Sequence, residues 1–320
     1  MRRKSAPHRR NVLPGAVRSA FLVLILSATA PCFAGEVSPP APSWAIEPRF
    51  IDVKPFSEGL APVFTDEGWG YIDTSGAFVI APRFHHAESF SEGRAAVMTD
   101  GMWGFIDRTG SFAIDPVYFS AGTFSEGYAW VNTGTTRVYI DIDGNEAIVP
   151  DRFYWGGNVS EGLIAAMLGE HSGYVDLNLS VVIDARFGCA YGFSEGLAAV
   201  SIDGKWGFID RTGAFVIEPV YDEAGDFSEG CAPVMIMEND TMHWGYVDKD
   251  GIMIIEPSFG WATSFSDGLA AVLTDDGWGY IDRSGDMVVP PRFIQAGPFA
   301  EGLAPVCTEE GCGFIGRPDE

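Results

Sequence analysis

Apolar and polar positions alternate in short runs along nearly the whole chain, with the period of two that marks half-buried strands rather than the 3.6 of helices. Leu60 to Phe64 alternates and is rich in β-compatible residues. Thr65-Asp66-Glu67-Gly68 is polar and ends in glycine, the chemistry of a tight turn. Trp69-Gly70-Tyr71-Ile72-Asp73 is aromatic and β-branched and predicts a second strand. Asp73-Thr74-Ser75-Gly76 predicts another turn, in which the aspartate accepts local backbone bonds and the glycine supplies a positive φ. Ala77 to Phe84 predicts a third strand, with Pro82 at an edge or bulge because proline donates nothing to a ladder. One unit therefore reads as a three-stranded antiparallel meander.

The unit then starts again. The acidic residue of the Phe-Ser-Glu-Gly step recurs at Glu58, Glu92, Glu126, Glu161, Glu195, Glu229, Asp267 and Glu301, at intervals of 34, 34, 35, 34, 34, 38 and 34 residues. A fixed period in this range is the signature of a repeat architecture. The tryptophan of the second strand follows its acid by eleven residues at Trp69, Trp103, Trp206 and Trp278. Trp244 follows by fifteen, so an insertion falls in the hairpin loop around Met237 to Thr241, and a single extra residue falls at Asp151. Insertions confined to loops are what stacked units require.

Both faces of each meander carry apolar groups: Leu60, Phe64, Trp69 and Tyr71 against Ala61, Val63 and Ile72. A sheet apolar on both sides packs on both sides, so neighbouring meanders must cover one another. Two all-β architectures do this: a closed, β-propeller-like toroid of eight meanders, which is favoured, and an open β-solenoid. The eight units begin at Ala45-Ile46-Glu47-Pro48-Arg49-Phe50 and end at Gly313-Phe314-Ile315, where the eighth stops before its third strand and reads as a cap.

The motif Trp-Gly-Tyr/Phe-Ile-Asp-x-x-Gly-x-x-Val-Ile-x-Pro-x-Phe, followed by Phe-Ser-Glu-Gly-Leu-Ala, resembles the bacterial WG (KWG) repeat across residues 45 to 315; residues 205–208 spell Lys-Trp-Gly-Phe. The resemblance implies an all-β repeat protein with no assigned catalytic chemistry and a binding or scaffold role. Departures are informative. The third and fourth units carry Arg137-Val138 and Ser172-Gly173 in place of Trp-Gly, the fourth has Leu179 for the turn glycine and Ala185 for proline, and the eighth has Cys312 for tryptophan.

The first residues read differently. Arg2, Arg3, Lys4, Arg9, Arg10 and Arg18 precede an apolar Ala20–Leu26 and a small-residue stretch ending at Ala34, the layout of a secretory signal over residues 1–34. That apolar stretch is too short to span a bilayer. A lipid-anchored alternative would modify Cys32, although Pro31 before it fits poorly. A Pro-rich linker over 35–44 and the repeat domain over 45–320 follow. Loss of the signal leaves 14 of the 20 Lys and Arg against 44 Asp and Glu, a formal charge of about −30. Such a field repels phosphate backbones and anionic lipid heads, which excludes nucleic acid as a partner. Export, periplasmic or beyond the cell, is the expected location.

Four cysteines remain in the exported chain. Cys307 and Cys312 flank a hairpin loop on opposed positions, where strand geometry brings side chains within bridging distance, and a disulfide between them is expected. Cys189 with Cys231 follows by elimination. A Cys-x4-Cys metal site is the rival, without a neighbouring histidine to complete it.

Candidate chemistry is sparse. The acids of the Phe-Ser-Glu-Gly steps and the turn ladder Asp73, Asp107, Asp141, Asp176, Asp210, Asp248 and Asp282 recur, and selection for one active site does not copy it in every unit, so structural roles are expected. Asp141 to Glu146 gathers oxygen donors without the spacing of a calcium loop. His85 and His86 are adjacent and would face opposite sides of a strand; His171 and His243 are isolated. No catalytic residue, metal or cofactor is assigned. The non-repeating feature is aromatic: Tyr128, Trp130, Tyr154 and Trp155, candidates to stack on a sugar ring or grip a peptide, or else to fill the space of the missing tryptophans. The expected function is a non-enzymatic binding or scaffold protein for another protein or a cell-envelope glycan. A glycan hydrolase using an acid pair near Asp151 and Glu161, or a plain structural spacer, is the alternative.

Overall fold

The computed structural model describes residues 43–149 and 155–318, so the expected signal segment lies outside it. The secondary structure of these residues is β throughout, arranged as eight sheets that close into a ring. The chain is an eight-bladed β-propeller, and the open solenoid is not formed.

The first strand, β1 (Trp44–Phe50), precedes the first blade, which comprises β2 (Asp52–Val53), β3 (Ala61–Thr65), β4 (Gly68–Ile72) and β5 (Phe78–Phe84) in spatial order. The hairpin register runs from Ala61 opposite Ile72 to Thr65 opposite Gly68, with the turn at the polar Asp66-Glu67 pair. The three-stranded expectation needs one correction. The two residues of β2 add a fourth strand, Asp52 opposite Phe64 and Val53 opposite Val63, in a segment too short to carry a periodic signal. Only in the fifth blade does this strand shrink to a single bridge, Ala190 to Val200.

Strand β5 pairs with β4 at Trp69–Phe84, Tyr71–Ile80 and Ile72–Phe78, so the register shifts around Pro82. This bulge explains the glycine after each tryptophan. A Cβ on Gly70 would lie 2.7 Å from both the Ile80 carbonyl oxygen and the Pro82 nitrogen. The third blade has Val138 instead, and its third strand is described over Glu146–Ile148.

Ring closure overturns the reading of the eighth unit as a cap. Its strands Gln295–Ala296, Leu303–Thr308 and Gly311–Gly316 lack a third meander strand, and β1 supplies it, with Trp44 opposite Ile315 and Phe50 opposite Cys312. The two ends of the domain thus share one sheet.

Each hydrophobic cluster joins consecutive blades. Tyr71, Ile80 and Phe84 of the first pack with Phe90, Ala95 and Val97 of the second, and Phe314 of the last packs with Phe56 and Val63 of the first. The buried tyrosines bond across the same seams. Tyr71 Oη donates to the Glu88 carbonyl at 2.8 Å, Tyr139 to Gly157 at 2.7 Å, and Tyr174, Tyr246 and Tyr280 repeat the contact at 2.8 Å. Burial pushes the Tyr71, Tyr139, Tyr174, Tyr246 and Tyr280 phenols far above their ordinary pKa, so they stay neutral donors.

Cys307 and Cys312 form the expected disulfide across directly opposed positions of the last hairpin. Cys189 and Cys231 do not bond, contrary to the pairing by elimination: Cys189 is exposed at the start of the fifth unit, whereas Cys231 is buried in the next seam with Trp244, Tyr246 and Phe265.

Candidate functional site

The repeated acids are absorbed by the architecture. Each Phe-Ser-Glu-Gly step is a tight turn whose acid sits in the left-handed region, from Glu58 at φ 54° to Glu301 at φ 55°. Its carboxylate accepts the glycine N–H of the next turn. Glu58 takes Gly93 at 3.1 Å, Glu92 takes Gly127 at 2.9 Å, and Glu126 takes Gly162 at 2.8 Å. The circle continues through Glu161, Glu195, Glu229 and Asp267, and Glu301 closes it on Gly59 at 3.0 Å. The preceding serine adds a second link, as Ser57 Oγ donates to the Phe90 carbonyl at 2.6 Å and Ser194 to Phe227 at 2.7 Å. Charge-assisted bonds to amides offset the cost of the left-handed backbone at each acid. Glu92→Ala should therefore lower stability by about 1–2 kcal/mol, with Glu92→Gln in between, as thermal or chemical unfolding will show.

Cations balance part of this circle. Arg108, Arg211 and Lys249 reach Glu58, Glu161 and Glu195 at 3.6, 3.2 and 3.0 Å, and Arg317 donates to the Asp267 carbonyl. The corresponding residues after the turn aspartate are Thr74, Ile142 and Leu177 in the first, third and fourth units. Among the described residues, the carboxylates of Glu92, Glu126, Glu229, Asp267 and Glu301 have no ion-pair partner.

The turn aspartates are equally occupied. Asp73 Oδ1 accepts the Ser75 and Ala77 amides at 2.9 and 3.0 Å. Asp141, in the oxygen-rich loop, turns its Oδ1 onto the Asp143 and Asn145 amides at 3.0 and 2.9 Å. Side-chain bonds from Ser75, Thr109, Asn145 and Thr212, with backbone amides, hold Asp73, Asp107, Asp141 and Asp210 below the usual carboxylate range. A depressed folded pKa gives stabilisation that is present at neutral pH and lost as pH falls through the folded values. The melting temperature should hold from pH 7 to about 5 and fall below about pH 4; differential scanning calorimetry across that range checks it. Among the described residues, no group of three or more His, Cys, Asp or Glu is spaced to hold a metal. His85 is exposed, and His86 sits between Trp69 and Trp103 at ring distances of 5.8 and 5.2 Å.

Two of the irregular aromatics, Tyr128 and Trp130, pack. Trp130 stands where other units have Ala or Pro, and it covers Gly122, whose Cβ would lie 2.2 Å from its Nε1. Arg137, in the place of the missing tryptophan, lies 4.0 Å over the Trp130 ring and donates to the Gly156 carbonyl at 2.7 Å. Tyr128 packs against the same seam. Trp155 opens the strand Trp155–Ser160 opposite Met167, while Tyr154 and Asp151 lie outside the described residues. Glu161 belongs to the acid circle.

A pocket the sequence reading missed lies beside them, along the turns of the third to sixth units. Its volume is about 380 Å³, and its wall includes Gly157, Asn158, Ser160, Ala165, Tyr191 and Asp226. A pairing rule creates it. Four residues before the acid, Gly122, Gly225 and Gly297 are covered by Trp130, Pro233 and Pro305, four residues after it, with ring atoms 2.2, 2.8 and 2.7 Å from the missing Cβ positions. Gly157 faces only Ala165, whose carbonyl oxygen is 3.9 Å from its Cβ position. Small opposite small, in the fourth unit alone, leaves a hollow.

Tyr191 is a fixed wall of this pocket. Its amide donates to the Ala199 carbonyl at 2.9 Å, its carbonyl accepts Tyr174 Oη at 2.8 Å, and its ring lies 4.8 Å from that of Trp206. The side chain is nevertheless 41% exposed. Asp226 is solvent-accessible, and among the described residues its carboxylate accepts no hydrogen bond and pairs with no cation. Crowding by the pocket walls raises its pKa above the usual carboxylate value.

The fold and site thus define an eight-bladed β-propeller with its acids locked in inter-blade turns and a non-repeating pocket at its fourth unit. The model of the WG containing repeat matches residues 42–68, 69–103, 103–134, 173–206, 206–238, 244–278 and 278–311, and the chain belongs to that family. The unmatched stretch between 134 and 173 holds the units that lost Trp-Gly. No curated protein matches the chain. Among solved structures, Hsv2p of Kluyveromyces lactis is similar at 10% identity and TM-score 0.48, covering 69% of this chain and 88% of that one. The extracellular domain of the putative one component system BT4673 from B. thetaiotaomicron is similar at 15% identity and TM-score 0.43, covering 85% of this chain and 42% of that one.

Proposed function

We propose that this protein is an exported, non-enzymatic propeller that binds a cell-envelope glycan or a protein through the pocket of its fourth to sixth units. The observation that carries the reading is the Gly157–Ala165 hollow walled by Tyr191, Asn158 and Asp226, where the repeat is broken and leaves space. An aromatic face beside an amide and a carboxylate is the chemistry that grips a sugar ring or a peptide side chain. Absorption of Glu161 by the Gly196 amide and Arg211 supports a non-enzymatic role, because the acid suspected of hydrolysis already has structural partners. The basic and apolar first residues, together with the Cys307–Cys312 disulfide, support export to an oxidising compartment.

The test is retention of bacterial envelope fractions, glycan and protein separately, on immobilised protein. Gly157→Leu fills the hollow at a position without positive φ and with no backbone within van der Waals conflict. Retention by wild type and its loss in a Gly157→Leu variant that melts normally supports the reading. Equal retention by both moves the site elsewhere, and no retention at all favours a spacer.

A further inference from the structure

Resting on the pocket reading above, we infer that the ligand group seated there is a protonated amine on a sugar-sized ring, so that the pocket selects an amino sugar with a free amine over its neutral or N-acylated relatives. Four observations converge. First, Asp226 presents a carboxylate in the wall with no partner of its own, and no Lys or Arg lines the pocket. An ammonium group would supply the missing charge and up to three donors.

Second, the cations near the pocket are already paired: Arg211, 5.8 Å over the lining Phe193 ring, and Lys249 bind Glu161 and Glu195, beside the lining Ser160 and Ser194. Glu126, adjacent to the lining Ser125, is among the circle acids without a cation, and Leu177 stands at the place from which Arg211 and Lys249 reach Glu161 and Glu195. After burial, Glu223 and Asp226 are what drive the Tyr191 phenol upward, so negative charge bears on the pocket wall from the sixth unit as well. An anionic ligand would face Asp226 without a counter-charge in the wall, and a neutral one would offer it hydroxyl donors but no opposite charge.

Third, Tyr191 offers an aromatic ring backed by Trp206 and fixed at both its amide and carbonyl, a surface that attracts both a sugar ring face and a cation. Fourth, the size fits. A volume of about 380 Å³ lies at the small end of the usual range for ligand sites, enough for one hexosamine with a few waters and too little for a folded protein element. The hydroxyls of Ser125, Ser160 and Ser194 are committed to carbonyls of the next turns, which leaves Asn158 and Asp226 as the groups that read the ligand.

Isothermal titration of the purified protein with glucosamine, N-acetylglucosamine and glucose, at low ionic strength and neutral pH, tests the inference. Glucosamine is expected to bind at least about tenfold more tightly than either neutral sugar. Asp226→Asn should erase that preference, Tyr191→Ala should weaken all binding, and Gly157→Leu should abolish it while the melting temperature holds. Saturable binding of N-acetylglucosamine equal to glucosamine, unchanged in Asp226→Asn but lost in Gly157→Leu, overturns the amine and leaves the pocket standing. Failure of glucosamine to bind at millimolar concentration overturns the amine as well; whether the pocket reading survives is then decided separately by retention of envelope fractions that depends on Gly157. Binding of glucosamine undisturbed by Gly157→Leu overturns both.

Discussion

A chain that begins at Ile51, and so lacks β1, should lose its sharp unfolding transition and melt at least about 10 °C lower than the intact domain. The expectation follows from what β1 covers. Ile46 and Phe50 are 5% and 3% exposed in the seam that also holds Phe56, Val63 and Phe314. Burying two such side chains is worth roughly 1.5–3 kcal/mol each. Removal also strips the strand Gly311–Gly316 of one of its two partners and leaves an open edge. Of the direct links around the circle, the Glu301 to Gly59 bond alone of the acid-to-glycine set would still tie the last blade to the first. A synthetic peptide spanning residues 43–50 should restore the transition when added in excess, since the site it left is a preformed strand edge. Unchanged melting of the shortened chain would mean that closure contributes little and that the blades stand as a linear stack.

The contrast between what the chain announces and what it conceals has a physical origin. Strands, turns and period were legible because each depends on local chemistry: alternation in Ala61 to Thr65, Asp73 with Gly76 in a turn, Pro82 at a bulge. The Cys307–Cys312 bridge was legible because hairpin register alone brings its two residues together. Closure was harder to read, since the Ala45–Phe50 segment looks like the third strand of any unit and only its partner at the far end of the chain, the strand Gly311–Gly316, identifies it as the seal. The two-residue β2 was too short to show alternation. The pocket escaped because it arises from an absence, Gly157 opposite Ala165, whereas attention went to conspicuous additions such as Trp130. Those additions fill space: Trp130 and Arg137 occupy what a glycine and a lost tryptophan vacated. A comparison of small residues across paired positions of the repeat, rather than of large ones, would have exposed the hollow.

Gly207→Ala should be among the most damaging single methyl groups in the protein, costing about 2–4 kcal/mol. A Cβ there would meet the Ile217 carbonyl oxygen at 2.4 Å and the Pro219 nitrogen at 2.7 Å, both backbone atoms of the bulged third strand. Neither end can retreat easily, because Phe208 stays paired to Ile217 and Trp206 to Tyr221 on either side of the bulge. The control is Gly93→Ala. Gly93 has φ +73° with nothing within 4 Å of its Cβ position, so it bears only the conformational penalty of a left-handed alanine, about 1 kcal/mol. The two glycines separate the causes that a repeat motif mixes together, close approach in the Trp-Gly step and backbone sign in the Glu-Gly step. Urea unfolding of both variants decides the matter. Similar losses at the two sites would show that the third strand shifts to admit a side chain, and the glycine of the Trp-Gly step would then need another explanation than the bulge. A loss at Gly207 at least twice that at Gly93 would tie the Trp-Gly step to the bulge where the second and third strands of its blade approach at backbone contact distance.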